Sequence, residues 1–121
     1  MVILTTTYNC EFFIEKCIQS LLDQTFKDFV CYITDDMSTD RTVEIARSII
    51  KNDPRFIIIE NKAKMFQPGN YDQVIRNNDK ISDNDVCVEL DGDDWFSDRE
   101  VLQRISNVYQ NNFIWLANGS F

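Results

Sequence analysis

The sequence predicts an α/β fold in which a mostly parallel sheet carries helices on both of its faces. Short runs rich in β-branched and aromatic residues alternate with segments whose apolar residues recur at three- and four-residue intervals. Such alternation of strand and helix is typical of parallel sheets. With 121 residues, 44% of them hydrophobic, the chain is long enough for one core and too short for two, so we expect a single domain over residues 1–121.

The predicted elements follow one another from the first residues onward. Strands are predicted at residues 2–6, 29–34, 56–60 and 86–90. Helices are predicted at residues 11–22, from residue 39 or 40 to a stop at Pro54, more weakly around residues 71–75, and at 101–109. Residues 61–69 are predicted to form a loop, because they end in the breaker pair Pro68-Gly69.

The charge and composition exclude several classes of function. A formal charge of -8 argues against a nucleic-acid-binding surface, which needs a basic face to displace counterions. Histidine is absent, and this removes Ser-His-Asp or Cys-His catalysis and any His-ligated zinc site. Chemistry in this chain must therefore use carboxylates, hydroxyls, lysines or a bound metal.

The cysteines and apolar runs indicate a compartment. Cys10, Cys17, Cys31 and Cys87 show no CxxC spacing and lie in or beside apolar stretches, so we expect buried, reduced thiols. The first residues lack the pattern of a signal peptide, and no apolar run approaches the roughly 20 residues of a membrane span. We therefore expect a cytoplasmic protein with no membrane span.

Polar segments follow three of the predicted strands, at residues 5–9, 35–40 and 91–94. In open α/β sheets, ligands bind beyond the carboxyl ends of the strands, so these segments are expected to share one crevice. Residues 81–98 carry seven acids and no lysine or arginine: Asp83, Asp85, Glu89, Asp91, Asp93, Asp94 and Asp98. Mg²⁺ or Mn²⁺, which take oxygen ligands, would relieve their repulsion. Gly92 is expected to permit a tight turn that brings Asp91 and Asp93 together.

Structural interpretations of the same residues stay open. The acidic segment also fits a solvated loop with helix-capping aspartates, and Asp35-Asp36 also fits a turn before a capped helix. Thr5 to Thr7 fit ordinary strand residues, and Lys62 and Lys64 fit exposed loop lysines. The aromatic residues Phe26, Phe29, Trp95 and Phe96 are expected to pack in the core or beneath the acidic turn.

Four motifs follow one another along the chain: Thr6-Thr7-Tyr8-Asn9, Ser20-Leu21-Leu22-Asp23-Gln24-Thr25-Phe26, Asp35-Asp36-Met37-Ser38-Thr39-Asp40-Arg41-Thr42, and Leu90-Asp91-Gly92-Asp93-Asp94. In this order they resemble the signature of family 2 glycosyltransferases of the GT-A fold. Residues 70–121, with a closing Trp-Leu-x-x-Gly-x-Phe at 115–121, also resemble a subgroup from microbial and viral surface glycosylation. The resemblance implies a Rossmann-like GT-A fold and the N-terminal, nucleotide-sugar-binding part of such an enzyme.

The resemblance also implies roles for individual residues. Thr6 and Asp36 are expected to contact the base of the donor, with Asp35 beside them, and Tyr8 and Lys64 complete the nucleotide-sugar site. Asp91 and Asp93 form the DxD element that contacts ribose and metal, and Asp94 is a further metal ligand. The implied reaction is metal-dependent, inverting transfer of a sugar, with a UDP-sugar favoured as donor, to a hydroxyl of an acceptor that the sequence does not identify. The metal would stabilise the leaving nucleoside diphosphate as a Lewis acid.

The chain departs from the family pattern in three respects. Thr6 stands where proline is common, and Met37 stands where glycine or asparagine is usual. The general base of inverting enzymes comes from a later segment, so we expect the fold to be truncated, without its acceptor-binding C-terminal part and with the base unknown. A homo-oligomer or a partner subunit is then expected to complete the site.

Other functions remain as alternatives. A noncatalytic nucleotide-sugar-binding module would keep the same carboxylates. A nucleotidyltransferase would be expected to carry a glycine-rich, basic loop after the first strand, which residues 8–11 lack. A phosphorylatable receiver domain would place its acidic pair after the first strand, where this chain has Thr-Thr-Tyr-Asn.

Overall fold

The computed structural model of the protein describes residues 1–111, and the motif at residues 115–121 lies outside them. Strands and helices alternate strictly along this part of the chain. The elements are β1 (Val2–Thr7), α1 (Ile14–Leu22), β2 (Val30–Asp35), α2 (Thr42–Ile50), β3 (Phe56–Glu60), α3 (Phe66–Arg76), β4 (Cys87–Glu89) and α4 (Val101–Asn111). The predicted order of strands and helices is confirmed.

The strands form one parallel sheet in the order β3-β2-β1-β4. β1 lies in the middle, where Val2 pairs with Val30 of β2 on one side and with Cys87 of β4 on the other. Along the chain, β2 and β3 are added on one side of β1, and β4 is then added on its other side. The order of the strands therefore reverses at β1. Such a reversal opens a crevice at the carboxyl ends of the two strands that flank it, here β1 and β4.

Alternate residues of β1 and β2 serve two different cores. Ile3 and Ile33 pack into the larger core with Ile14 of α1, Ala46 of α2 and Leu102 of α4. A smaller core on the opposite face joins Val2, Leu4 and Tyr32 to Val74 of α3. Because side chains alternate across a strand, β1 and β2 each contribute side chains to both cores. The prediction that helices cover both faces of the sheet is confirmed.

The helix starts differ from those predicted. α1 begins at Ile14, because the preceding residues form a turn whose amides at Phe13 and Ile14 donate to the Cys10 carbonyl. α2 begins at Thr42, after Asp40 accepts a hydrogen bond from the Thr42 amide. Both helices were therefore predicted to begin too early.

The largest correction concerns α3. It begins at Phe66 and runs through Pro68 and Gly69, which were predicted to end a loop. Proline is tolerated in the first turn of a helix, because an amide there has no intrahelical acceptor. The segment between β3 and α3 is consequently short, and α3 starts close to the ends of the strands.

One thiol also differs from expectation. All four cysteines are free, and Cys10, Cys17 and Cys31 are buried, but Cys87 is exposed because it lies on the short strand β4 at the edge of the described sheet. Burial raises the pKa of the Cys31 thiol to about 12. Phe96 is buried, whereas Trp95 is 38% exposed and carries the ammonium group of Lys16 over its ring. No helix within residues 1–111 has the length and apolar character needed to cross a membrane.

Candidate functional site

The acidic turn after β4 is tied to the end of β1. The amide of Leu90 donates to the carbonyl of Leu4 at 3.0 Å, and the amide of Gly92 donates to the carbonyl of Thr6, also at 3.0 Å. The turn then closes on itself, since the amide of Asp94 donates to the carbonyl of Asp91 at 2.9 Å. These bonds carry the acids to the carboxyl end of the sheet, next to the β1–α1 loop.

Asp91, Asp93 and Asp94 form an acidic triad. Each offers a carboxylate oxygen, and the three oxygens lie within 4.8 Å of one another. Opposite ligands of an octahedral Mg²⁺ at about 2.1 Å are separated by roughly 4.2 Å, so a small rotation of the exposed Asp93 and Asp94 side chains suffices for a shared cation. An all-oxygen, anionic donor set of this kind suits Mg²⁺ or Mn²⁺.

No lysine or arginine of residues 1–111 forms an ion pair with the triad. Lys16 of α1 approaches the turn, but its Nζ lies 3.4 Å from the ring centroid of Trp95, in a cation–π contact. Two other acids of the segment are compensated elsewhere. Asp85 lies 3.6 Å from the amino group of Met1 and Asp98 lies 2.8 Å from Arg104. Asp83 and Glu89 also form no ion pair within residues 1–111, but only the members of the triad bring their carboxylate oxygens together.

Asp35 is held entirely by its own surroundings. It is only 4% exposed and accepts hydrogen bonds from the Thr7 hydroxyl at 3.1 Å and from the Ser38 hydroxyl at 2.5 Å. The Ser38 amide donates to its second carboxylate oxygen at 2.9 Å. This buried carboxylate fixes the turn between β2 and α2.

Asp36 points to the opposite face of the sheet and caps α3. Its carboxylate accepts the amides of Met65 at 2.8 Å and Phe66 at 3.0 Å, together with the side-chain amide of Asn61 at 3.0 Å. Burial alone would raise the pKa of Asp36, but these three hydrogen bonds and the charge of Lys64 outweigh it and hold the pKa below the ordinary value. Asp36 thus caps a helix that begins 30 residues further along the chain, a role that the sequence did not predict, and the turn that was left open as an interpretation is fixed by Asp35.

Thr6, Tyr8 and Lys64 lie along the same crevice. The Thr6 hydroxyl is 3.5 Å from that of Thr34 on β2. Tyr8 is 49% exposed, and Nζ of Lys64 lies 2.7 Å from its ring centroid. This contact joins the β3–α3 segment to the β1–α1 loop, so the Lys64 ammonium group and the Tyr8 ring lie side by side in the crevice.

The triad is bordered by a small cavity of about 180 Å³. Its lining comprises Gln67, Glu89, Leu90, Asp91 and Asp94. A larger cavity of about 260 Å³ lies at the opposite, amino end of the sheet, beside Met1, Phe29 and Tyr32. Two of the predicted site residues, Asp91 and Asp94, line the smaller cavity and none lines the larger one, so size does not identify the functional crevice in this fold.

Comparison with known proteins assigns the family. The sequence profile of "Glycosyl transferase family 2" matches residues 2–117. The chain belongs to this family. It is 32% identical over 119 residues to the uncharacterized glycosyltransferase EpsJ of Bacillus subtilis, covering 98% of this chain and 33% of that protein. It is 30% identical over 116 residues to the dTDP-rhamnosyl transferase RfbG of Shigella flexneri, covering 89% of this chain and 40% of that protein.

Solved structures agree with the fold of this glycosyltransferase chain. TarS of S. aureus, residues 1–349, is 25% identical with a TM-score of 0.71, covering 88% of this chain and 31% of TarS. The mannosyltransferase PcManGT of Pyrobaculum calidifontis, solved with GDP-Man and Mn²⁺, is 17% identical with a TM-score of 0.76, covering 93% of this chain and 32% of that one. The fold is that of the GT-A glycosyltransferases. The chain spans about a third of the length of EpsJ and of both structures.

Sequence reasoning missed the side chains of α3 that contact the site. Gln67 and Tyr71 both contact Asp91, while Asn70 and Gln73 contact Asn61, the partner of Asp36. Burial and the charge of Asp91 raise the pKa of Tyr71 to about 12, so its hydroxyl is a donor at neutral pH. The spacing of Gln67 and Tyr71 by one helical turn is a usable signal, but only once the helix is known to start at Phe66.

Proposed function

We propose that this chain is the donor-binding part of a glycosyltransferase, and that it binds a nucleoside-diphosphate sugar through a divalent cation held by Asp91, Asp93 and Asp94. One observation carries the proposal. Three carboxylates converge at the carboxyl edge of a parallel sheet without a basic partner among residues 1–111. Such a concentration of negative charge favours binding of a cation, and a cation held there attracts the negatively charged diphosphate.

The chemistry of the site agrees with the family. When bound, Mn²⁺ or Mg²⁺ supplies Lewis-acid stabilisation of the departing nucleoside diphosphate. The exposed Asp93 and Asp94 ligate it most freely, because none of the hydrogen bonds within the described residues uses their carboxylates. Asp91, half-buried, contributes one carboxylate oxygen and contacts the ribose.

The base-binding side of the crevice is assigned to Thr6, Tyr8, Asp36 and Lys64. Asp36 already accepts three hydrogen bonds, and a carboxylate has about four acceptor positions, so one is left for an N–H of the base. The exposed face of Tyr8 suits stacking, and Lys64 supplies a positive charge for the nucleotide. By the same count Asp35, which accepts three hydrogen bonds from Thr7 and Ser38, also keeps one acceptor position, and we place it beside Asp36 in the nucleotide site.

We favour UDP over GDP as the nucleotide. The TarS structures with UDP and with UDP-GlcNAc are 23% and 22% identical in sequence to this chain, against 17% for PcManGT, which was solved with GDP-Man. The transfer we propose inverts the sugar and ends on an acceptor hydroxyl. Inversion needs a carboxylate base on the side of the sugar opposite the diphosphate. The triad faces the diphosphate, so we assign none of its members to that role.

The surroundings of this site form part of the proposal. We propose one nucleotide-sugar-binding domain over residues 1–121. A cytoplasmic location fits the free thiols, because reducing compartments keep cysteines unpaired.

Calorimetric titration tests the proposal. The chain is titrated with UDP and with GDP in the presence of Mn²⁺ and again after addition of EDTA. We expect UDP to bind only with the metal, and Asp93→Ala to abolish binding. Asp83→Ala is the matched control, because Asp83 is an exposed acid of the same segment that lies outside the triad. Equal losses in both variants, or binding that survives EDTA, would contradict a metal site at the triad.

A further inference from the structure

We infer that Gln67 and Tyr71 of α3 are positioning residues that hold the Asp91 carboxylate for ligation through a single oxygen, and that they thereby make the site select small divalent cations. The inference rests on the proposed metal site and adds the residues that decide which cation it prefers. Neither residue belongs to the four sequence motifs.

The contacts converge on one atom. Nε2 of Gln67 donates to Oδ1 of Asp91 at 2.7 Å, and the Tyr71 hydroxyl donates to the same oxygen at 3.3 Å. Nε2 of Gln67 also donates to the Tyr71 hydroxyl at 2.9 Å, so the two donors orient each other. Their spacing of four residues places them on one face of α3, one turn apart.

The number of lone pairs on each oxygen of Asp91 decides which oxygen remains available to a cation. A carboxylate oxygen accepts about two hydrogen bonds, and Oδ1 of Asp91 receives two. Oδ2 is then the oxygen available to a cation. Asp93 and Asp94 are exposed and make no comparable contacts within residues 1–111, so Asp91 is the member of the triad whose orientation the fold fixes.

The chemistry of the donors matters as much as their position. A lysine or arginine at either place would neutralise Asp91 and compete with a cation. An amide and a phenol orient the carboxylate and leave its charge available. Hydrogen bonds to a ligating side chain act in this way in many metal sites, and their loss costs about 10- to 100-fold in metal affinity.

Ligation through one oxygen discriminates between cations. Mg²⁺ requires octahedral geometry with short bonds, whereas Ca²⁺ accepts more ligands and often takes both oxygens of a carboxylate. Mn²⁺ shares the octahedral oxygen sites of Mg²⁺. An Asp91 that is free to rotate can offer both oxygens, so losing Gln67 or Tyr71 should weaken binding of Mn²⁺ more than binding of Ca²⁺.

The test uses Gln67→Met and Tyr71→Phe, which remove the donors and keep the shape. Binding of Mn²⁺ alone is followed by the electron paramagnetic resonance of the free ion, and Ca²⁺ is measured by competition. We expect Mn²⁺ affinity to fall on the order of 10-fold and the ratio of Mn²⁺ to Ca²⁺ affinity to fall with it. The matched controls are Gln19→Met, which removes a 2.8 Å hydrogen bond from α1 to its C-cap residue Asp23, and Tyr32→Phe. Neither should change the ratio.

The outcomes separate this inference from the proposed function. If the unmodified chain binds no Mn²⁺, the metal site fails and the inference falls with it. If it binds Mn²⁺ and Asp91→Asn weakens binding, but the ratio is unchanged in Gln67→Met and Tyr71→Phe, the inference alone is overturned. Equal loss of both cations in those variants would show a purely structural role and would overturn it too.

Discussion

A Cβ atom on Gly92 would lie 2.5 Å from Cγ2 of Thr7 and 3.2 Å from the carbonyl oxygen of Thr6. No glycine in residues 1–111 has a positive φ, so glycine is needed here for close approach and not for the conformational freedom that the sequence suggested. The end of β1 therefore determines where the acidic triad begins.

The first prediction concerns this close approach. Gly92→Ala should destabilise the chain by about 1–3 kcal/mol, because an added methyl group in a filled site forces the backbone apart. Mn²⁺ binding should weaken with it, since the turn that carries the triad moves. Urea unfolding and Mn²⁺ titration measure the two effects.

Thr7→Ser provides the control. It deletes the Cγ2 atom that would clash but keeps the hydroxyl that donates to Asp35. In the Thr7→Ser background, Gly92→Ala should cost less in the free energy of unfolding than in the unmodified chain. Equal costs in both backgrounds would show that another contact makes Gly92 necessary.

The second prediction concerns how the contribution of Asp36 to stability changes at low pH. The pKa of Asp36 is lowered in the folded chain, so its stabilising effect is fully present above the unfolded pKa of about 3.9 and is lost as pH falls through the folded pKa. Asp36→Asn should therefore cost about 1–2 kcal/mol at pH 7 and little below the folded pKa. Urea unfolding of both proteins across this range measures the difference. Asp83→Asn should change stability by less than about 0.5 kcal/mol at any pH. A constant cost of Asp36→Asn would contradict a charged cap.

The sheet and the triad could be predicted from the sequence because both depend on local patterns. The strands are short apolar runs, and Asp91, Asp93 and Asp94 are adjacent in the chain and follow a strand. The crevice follows from a general property of parallel sheets.

The part that the sequence could not predict depends on contacts between distant residues. Asp36 bonds to amides 29 and 30 residues further along, and no periodicity reports such a pairing. Pro68 was interpreted as a breaker because its place in the helix depends on where Asp36 caps α3. Since that start was missed, the contacts of Gln67 and Tyr71 with Asp91 were missed with it.

The third prediction concerns a buried side chain that joins the end of α1 to the start of α4. Gln24 is fully buried, and its amide donates to the carbonyls of Ser20 at 3.0 Å and Asp98 at 2.7 Å, while its oxygen accepts the amide of Leu102 at 3.0 Å. Gln24→Leu leaves backbone groups of Asp98 and Leu102 without these partners, each at a cost of about 1–3 kcal/mol. We expect urea unfolding to show a loss of at least about 2 kcal/mol. Gln19→Leu, on the exposed face of α1, which ends just before Gln24, should be close to neutral. Similar losses in both variants would show that neither the burial of Gln24 nor its hydrogen bonds explain the loss in the free energy of unfolding.

The fourth prediction distinguishes two lysines of one loop. Lys64 contacts the ring of Tyr8, whereas Lys62 is an exposed residue of the same β3–α3 segment and forms no ion pair within residues 1–111. Lys64→Met and Lys62→Met change the net charge equally, so a long-range electrostatic effect on the nucleotide would be the same in both. We expect Lys64→Met to weaken UDP binding in the presence of Mn²⁺ roughly fivefold, about 1 kcal/mol, and Lys62→Met to leave it unchanged. Calorimetry measures both affinities.

A direct role of Lys64 predicts that Mn²⁺ binding without nucleotide stays the same in the two variants, because neither lysine contacts the triad. Equal weakening of UDP binding would assign the effect to net charge and would remove Lys64 from the nucleotide site.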